Sequence, residues 1–176
     1  MQPGTHTLGP EVATLKVKTY REGMAAKVGH DLDLEVASWR ATVEVGDAGV
    51  VSVELDADPR SLKVRGGEGG AKPLTDKDRA DIEKSIDDKV LKGEAISFRS
   101  TSVNGGAPAS ISGDVAMGGQ TRPASFQVEI APDGKVAGSV SLTQSEWGIK
   151  PYKGLMGALK VRDDVDVVLD ATLPAG

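Results

Sequence analysis

Apolar and polar residues alternate along most of this chain. Phe126, Val128 and Ile130, for example, are separated by Gln127 and Glu129. The same two-residue period recurs in the segments 51–57, 111–117, 136–142 and 165–171. This period places the apolar side chains on one face of a β-strand and the polar ones on the other. The pattern therefore predicts a protein built mainly of half-buried strands.

Turn-forming residues separate the alternating segments. They are Gly-Asp-Ala-Gly at 46–49, Asn-Gly-Gly at 104–106, Gly-Gly at 118–119 and Pro-Asp-Gly at 132–134. Glycine, asparagine and aspartate readily adopt the backbone conformations that tight turns require. Because loops this short join antiparallel strands, the sequence predicts an antiparallel meander.

The apolar positions change phase between residues 31 and 45. Leu32 and Leu34 occupy even positions, whereas Ala41 and Val43 occupy odd ones. A strand that keeps one face buried through such a change must contain a bulge or bend, which we expect at residues 38–40. Bends of this kind allow a sheet to curl into a barrel.

One segment has a helical period instead. Ile82, Ile86 and Val90 recur every four residues, and Thr75 is a good N-cap residue before them. Gly93 can end the helix. The spacing predicts one amphipathic helix over about 75–92 that packs against or caps the barrel.

Composition excludes several classes of function. The 176 residues carry 21 basic and 26 acidic side chains, a net charge of −5, which argues against a nucleic-acid or anionic-membrane surface built on net charge. We expect no nucleic-acid partner. The chain contains no cysteine and only two histidines, which excludes thiol chemistry and argues against a multi-histidine metal site. We predict no metal and no cofactor. The length favours one domain over residues 1–176, with 1–11 flexible.

The first ten residues lack the basic start and apolar run of a secretory signal. No stretch approaches the 18 apolar residues that a membrane-spanning helix needs. A cytoplasmic location is therefore expected.

Three segments are candidates for chemistry. His30 and Asp31 could form a general base, but neighbouring strand residues point to opposite faces, which favours a structural role for His30. The glycine-rich stretch 66–70 lacks the Lys-Ser/Thr of a phosphate-binding loop and is interpreted as a surface loop. Residues 148–157 mix apolar side chains with two lysines. They could be a packed barrel-end loop, a mouth where an anionic head group meets lysines, or a membrane-docking segment.

Several positions in phase with large apolar residues are small: Gly113, Gly138, Ser100, Ala41 and Ala57. With so few aromatic side chains, small inward residues favour a barrel lumen that stays open to a ligand. Alternatively, the glycines serve only the curvature of the sheet.

Three segments, by their order and spacing, resemble the YceI-like family. Residues 95–100, Ala-Ile-Ser-Phe-Arg-Ser, resemble its strand ending in Phe-x-Ser. Residues 111–124 resemble its Gly-x-Leu-x-Ile-x-Gly-x-Thr-x-Pro hairpin, and Glu-Trp-Gly-Ile at 146–149 resembles its Asp-Phe-Gly-Ile element. The resemblance covers residues 12–173. One departure is Gln144, where the family often has arginine.

The resemblance implies an all-β fold, an eight-stranded antiparallel lipocalin-like barrel with one helix that holds a long prenyl chain in its lumen. It further implies non-enzymatic binding or carriage of an isoprenoid or similar long-chain lipid by a monomer or homodimer. Burial of each CH₂ group contributes about 0.8 kcal/mol, so a long tail can bind without many polar contacts.

On this basis we predict two groups of ligand-binding residues. Those expected to line the lumen are Phe98, Met117, Phe126, Leu142, Trp147, Leu155 and Met156. Those that could meet a head group near the mouth are Lys150, Tyr152 and His30. The resemblance supplies no catalytic residues.

Two other functions stay open. The protein could be a hydrolase or isomerase acting on a lipid-like substrate, with His30 and Asp31 or Lys150 as reactive groups. It could also be a structural or interaction barrel with a filled core, in which case a cavity of less than a few hundred Å³ is expected.

Overall fold

Strands dominate the computed structural model, which describes residues 3–172. Seven strands precede the helix: β1 (Gly4–Leu8), β2 (Ala13–Thr19), β3 (Arg21–Glu22), β4 (His30–Val36), β5 (Trp39–Gly46), β6 (Gly49–Ala57) and β7 (Leu62–Gly69). Seven follow it: β8 (Ile96–Asn104), β9 (Ala109–Met117), β10 (Gln120–Ile130), β11 (Lys135–Thr143), β12 (Lys153–Gly154), β13 (Leu159–Val161) and β14 (Asp164–Thr172).

Eleven of these strands form one antiparallel sheet, in the order β1-β5-β6-β8-β9-β10-β11-β14-β2-β4-β7. Strands β8 to β11 are neighbours in chain order, as the predicted meander requires. The last strand, β14, instead pairs with β2 near the start of the chain. The sheet is curled, because Leu8 from β1 at one end of the order and Leu62 from β7 at the other line the same cavity. Strands β12, β13 and β3 form a second, three-stranded sheet.

Two of the three strands beyond the predicted eight arise because one long hairpin is bent. Its first arm consists of β4 and β5, which are separated by Ala37 and Ser38, and its second arm of β6 and β7. Each arm therefore contributes two strands to the sheet order. The backbone N–H of Ala37 donates to the carbonyl of Ser61 (3.0 Å), which joins the two arms at the bend. The bend lies next to the 38–40 segment that the phase change indicated.

The start of the chain differs from the expected flexible segment at residues 1–11. Residues 1 and 2 lie outside the described part. Gly4–Leu8, however, forms β1 and pairs along its whole length with β5. This strand adds to the sheet at one end and places Leu8, which is 6% exposed, in the core.

The helical segment begins as predicted. Helix α1 (Asp76–Ser85) is capped by Thr75, whose hydroxyl accepts from the backbone N–H of Asp78, while the carboxylate of Asp78 accepts from Thr75 in return. A π-helical turn, Ile86–Leu91, continues it, and Lys92 and Gly93 then take left-handed backbone conformations that end it. The helix packs along the edge strand β7, where Lys63 forms an ion pair with Glu83.

Candidate functional site

The curled sheet and the helix enclose a cavity of ≈ 840 Å³. Its wall is mostly apolar and includes side chains from strands on every side of the sheet. The volume falls within the range of about 300–1,000 Å³ that is usual for small-molecule sites. It also exceeds the few hundred Å³ expected of a barrel whose core is filled, so the fold retains a substantial lumen.

The helix supplies one side of the cavity. Ile82, Ile86, Val90 and Leu91 all line it, and the first three are the residues whose spacing predicted an amphipathic helix. Sequence reasoning assigned this stripe to packing and did not count it among ligand-binding residues. The four-residue period identifies the apolar face of the helix. That this face lines a lumen follows only from the curl of the sheet, which the period does not reveal.

The small inward residues have different roles. Ala41, Ala57 and Gly138 line the cavity, so their small size leaves space in it. A Cβ atom at Gly113 would lie 2.6 Å from the Phe98 ring, so this glycine allows that ring to pack against the backbone of β9. The hydroxyl of Ser100 accepts from the backbone N–H of Val53 (2.8 Å), a contact between strands β8 and β6.

Six of the ten predicted ligand-binding residues line the cavity. The two aromatic rings of Phe98 and Phe126 lie 5.4 Å apart, centroid to centroid, in a tilted arrangement. The six residues are Phe98, Met117, Phe126, Leu142, Tyr152 and His30.

The other four predicted residues lie elsewhere. Trp147 is 1% exposed and is packed in the core, where its Nε1–H donates to the carbonyl of Val115 (2.9 Å). Lys150, Leu155 and Met156 are exposed to solvent, and the Met156 side chain projects fully from the surface. Their position is beside the cavity, in the chain between Trp147 and β13.

Several polar side chains line the cavity near the three-stranded sheet, at the end that we call the mouth. Arg21, His30, Lys72 and Lys160 line the cavity there, together with Tyr152. This end lies beside the three-stranded sheet, because Arg21 and Lys160 belong to its strands β3 and β13. The carboxylates Asp58, Asp78 and Asp81 also line the cavity. The distribution allows a ligand with an apolar tail inside and a polar head at the mouth.

Local contacts hold two of these polar side chains in place. The Nη1 group of Arg21 donates to the carbonyl of Gly29 (2.7 Å). A ring nitrogen of His30, Nε2, lies 2.8 Å from the carbonyl oxygen of Lys72. Beside the mouth, the hydroxyl of Tyr20 donates to Asp166, and this hydrogen bond raises the pKa of the tyrosine.

His30 and Asp31 do not combine into a catalytic pair. The Asp31 carboxylate accepts from the backbone N–H of Arg21 (2.8 Å), while His30 contacts Lys72. The two side chains therefore have separate partners, as strand alternation predicts. His30 lines the cavity, whereas Lys150 does not.

Two cavity-lining side chains offer buried polar atoms. The Oγ1 atom of Thr19 is buried and has no hydrogen-bond partner within residues 3–172. Gln144 is 8% exposed and its Nε2 group donates to the carbonyl of Arg162 (3.0 Å). A buried hydroxyl without a partner is energetically costly, so Thr19 is a candidate contact for a polar atom of a ligand.

The comparisons with known proteins concern nearly the whole chain. The family model described as YceI-like domain matches residues 11–173. The crystal structure of Burkholderia cenocepacia BcnA superposes with a TM-score of 0.66 at 14% identity, covering 92% of this chain and 96% of that one. The Campylobacter jejuni YCEI protein superposes with a TM-score of 0.56 at 10% identity, covering 82% and 86%. No curated protein sequence matches this chain.

A separate observation concerns membranes. Between residues 3 and 172, no helix combines the length and the apolar character needed to cross a lipid bilayer.

Proposed function

The chain belongs to the YceI-like family, and from that premise we propose that it binds or carries an isoprenoid or similar long-chain lipid in its cavity without chemically changing it. The apolar lumen of ≈ 840 Å³ is the observation that carries this proposal. A lumen of this size and character is suited to a long hydrocarbon chain, because affinity grows with the apolar surface removed from water.

The arrangement of polar groups supports a ligand with two distinct parts. Most of the lining side chains, such as Leu15 and Val128, are apolar, whereas His30, Lys72 and Lys160 line the cavity at the mouth. A tail would fill the lumen while a hydroxyl or anionic head group meets Lys72, Lys160 and the His30 ring. This orientation lets the head group keep contact with water, which avoids the cost of burying it.

Binding without turnover agrees with the surroundings of the titratable residues. His30 contacts a backbone carbonyl and Asp31 contacts Arg21. Neither arrangement activates a nucleophile in the way that a histidine hydrogen-bonded to a hydroxyl or carboxylate would. Carriage therefore explains the site with fewer assumptions than catalysis.

A length series of linear prenyl alcohols tests the proposal. We expect affinity, measured by competition with a hydrophobic fluorescent probe, to rise with each added isoprene unit and then to level off once the lumen is filled. Each buried CH₂ should tighten binding roughly fourfold over the rising part of the series. Affinity that is independent of chain length, or absent for all lengths, would contradict a lumen-binding function.

A further inference from the structure

A small lobe stands at the mouth of the cavity. It consists of residues 21–29 and 150–161, which we call the mouth lobe. The three-stranded sheet holds its two segments together through the pairing of β3 with β13. The backbone N–H of Ala25 also donates to the carbonyl of Ala158 (2.8 Å). The lobe is therefore a defined structure and not two independent loops.

The mouth lobe presents large apolar side chains to solvent. Met24 is 98% exposed and Met156 107%, and Leu155 and Val28 are also exposed. These four make up more than half of the seven large apolar residues that are exposed within residues 3–172, the others being Val12, Val51 and Ile130. Such clustering marks an interaction surface, whereas isolated exposed apolar residues are ordinary.

The backbone at the tip of the lobe is strained. Leu155 and Met156 have φ angles of 49° and 56°, in the left-handed region that side chains other than glycine, asparagine and aspartate seldom adopt. In this conformation two consecutive large apolar residues occupy a turn and expose their side chains. Strained residues of this kind concentrate at functional sites.

The charge of the lobe is opposite to that of the chain. Its two segments carry five basic residues and one acidic residue, while the whole chain has a net charge of −5. Arg21 is engaged by Asp31 at 3.9 Å. The four lysines of the lobe, in contrast, take part in none of the ion pairs found within residues 3–172: Lys27, Lys150, Lys153 and Lys160.

The lobe is continuous with the cavity. Val28, Tyr152 and Lys160 belong to the lobe and also line the cavity. Val28 is 48% exposed, so the same side chain reaches both the lumen and the solvent. A surface that covers the lobe would therefore face the mouth directly.

We propose that the mouth lobe docks the protein onto the surface of an anionic lipid bilayer. Met24, Leu155 and Met156 enter the interface between head groups and acyl chains, while the lysines meet the lipid phosphates. Apolar side chains flanked by lysines are the combination that interfacial binding requires. Docking itself does not depend on the proposed function; only its biological purpose does. Docking would place the mouth where a lipid could pass between the bilayer and the lumen.

Vesicle flotation of the whole chain tests docking directly. We expect the protein to float with vesicles of equal parts phosphatidylglycerol and phosphatidylcholine, and much less with vesicles of phosphatidylcholine alone. The double variant Leu155→Ser, Met156→Ser should weaken binding at least tenfold, on the order of the loss of one buried apolar side chain. The variant Val51→Ser, which removes an apolar residue exposed to 63% on β6, should bind like the parent.

A second pair of variants tests the charge. Lys153→Gln should weaken binding to the anionic vesicles about fivefold, and added salt should reduce this difference. Lys135→Gln is the matched control, because it removes the same charge outside the lobe. Lys135 is the first residue of β11, whereas the lobe follows the last residue of that strand. Equal losses for the two variants would overturn the proposal, since they would reflect net charge and not the lobe.

Other occupants of the lobe give different results. Sedimentation without vesicles shows whether the lobe binds a second copy of the chain. If the parent is a dimer and the Leu155→Ser, Met156→Ser variant is a monomer, the lobe is a dimer interface and the proposal is wrong. Failure to float, or equal flotation with both kinds of vesicle, would also overturn it. Probe binding in the lumen is measured separately without vesicles, so loss of docking and loss of lipid binding are distinguishable.

Discussion

The backbone N–H of Val64 in edge strand β7 donates to the Glu83 carboxylate of helix α1 (3.0 Å). The carbonyl of the same residue accepts from Nη1 of Arg79, one helical turn earlier (2.9 Å). The helix thus satisfies both backbone polar groups that Val64 directs away from its sheet neighbour. Because the same helix forms one wall of the cavity, these two contacts attach that wall to the sheet.

Replacing Glu83 should loosen this wall. We expect Glu83→Gln to lower the free energy of unfolding by about 1–2 kcal/mol, because the charged acceptor of the Val64 N–H and of Lys63 is lost. Chemical denaturation measures the effect. Asp81→Asn is the control: its exposed ion pair with Lys77 should contribute little. A Glu83→Gln variant as stable as the parent would show that the contacts do not hold the helix.

The same contact gives an acid dependence. Burial of Glu83 acts to raise its pKa, but the hydrogen bonds from Lys63 and Val64 outweigh it and hold the pKa below the usual value. The contribution to stability is therefore complete above the unfolded-state pKa of about 4.3 and is lost as the pH falls through the lower folded-state pKa. The stability difference between parent and Glu83→Gln should shrink in that acidic range. A constant difference down to strongly acidic pH would contradict this.

Filling the lumen should prevent ligand uptake. Gly138 lines the cavity, and a Cβ atom there would lie 3.2 Å from Val128. We expect Gly138→Leu to abolish binding of a hydrophobic fluorescent probe at a stability cost of about 1–3 kcal/mol. Ala137→Leu, at the neighbouring exposed position on the other face of β11, should bind the probe normally. Normal binding by Gly138→Leu would place the ligand outside this part of the lumen.

The buried hydroxyl of Thr19 predicts a selective effect. Thr19→Val keeps the shape and removes an Oγ1 atom that lacks a partner within the described residues. The ligand-free protein should become more stable by about 1 kcal/mol, because the unpaired buried hydroxyl at this position is then removed. Binding of a prenyl alcohol should weaken about fivefold relative to a hydrocarbon of equal length. Equal changes for both ligands would show that Thr19 does not contact the head group.

A substitution at Trp147 should affect stability but not ligand binding. Trp147→Phe removes the hydrogen bond to the Val115 carbonyl and leaves a void in the core, so a loss of about 2–4 kcal/mol is expected in thermal or chemical unfolding. Probe affinity at a temperature where the variant is folded should change little. Phe126→Leu, at a cavity-lining position, should show the reverse pattern. A large affinity loss in Trp147→Phe would place its ring in the binding surface.

Alternation predicted the strands well but could not place every side chain. Val51 shares its phase with Val53 and Leu55 in the sequence, yet it is 63% exposed. The pairing of β5 with β6 shifts between Glu44 and Val45, so Val51 is an extra residue without a partner in the ladder. At such a bulge the alternation of side chains between the two faces of the sheet is interrupted. A two-residue period in the sequence does not reveal this interruption.

The candidate site was predictable where strands form it. Phe98, Met117 and Leu142 are strand residues, and their period indicates the inner face. Outside the strands, apolar character alone did not distinguish Trp147, which packs in the core, from Met156, which projects into solvent. That difference depends on local backbone geometry, here a left-handed turn at a residue other than glycine. The contribution of the helix to the wall depends on long-range packing.

The lipid content of the protein tests the central claim most directly. The protein is purified without detergent, analysed by native mass spectrometry, and then extracted with organic solvent. A long-chain lipid that accompanies the parent, and is absent from Gly138→Leu but present in Ala137→Leu, is the predicted result. No lipid in the extract of the parent, together with no uptake of prenyl alcohols on titration, would contradict the account.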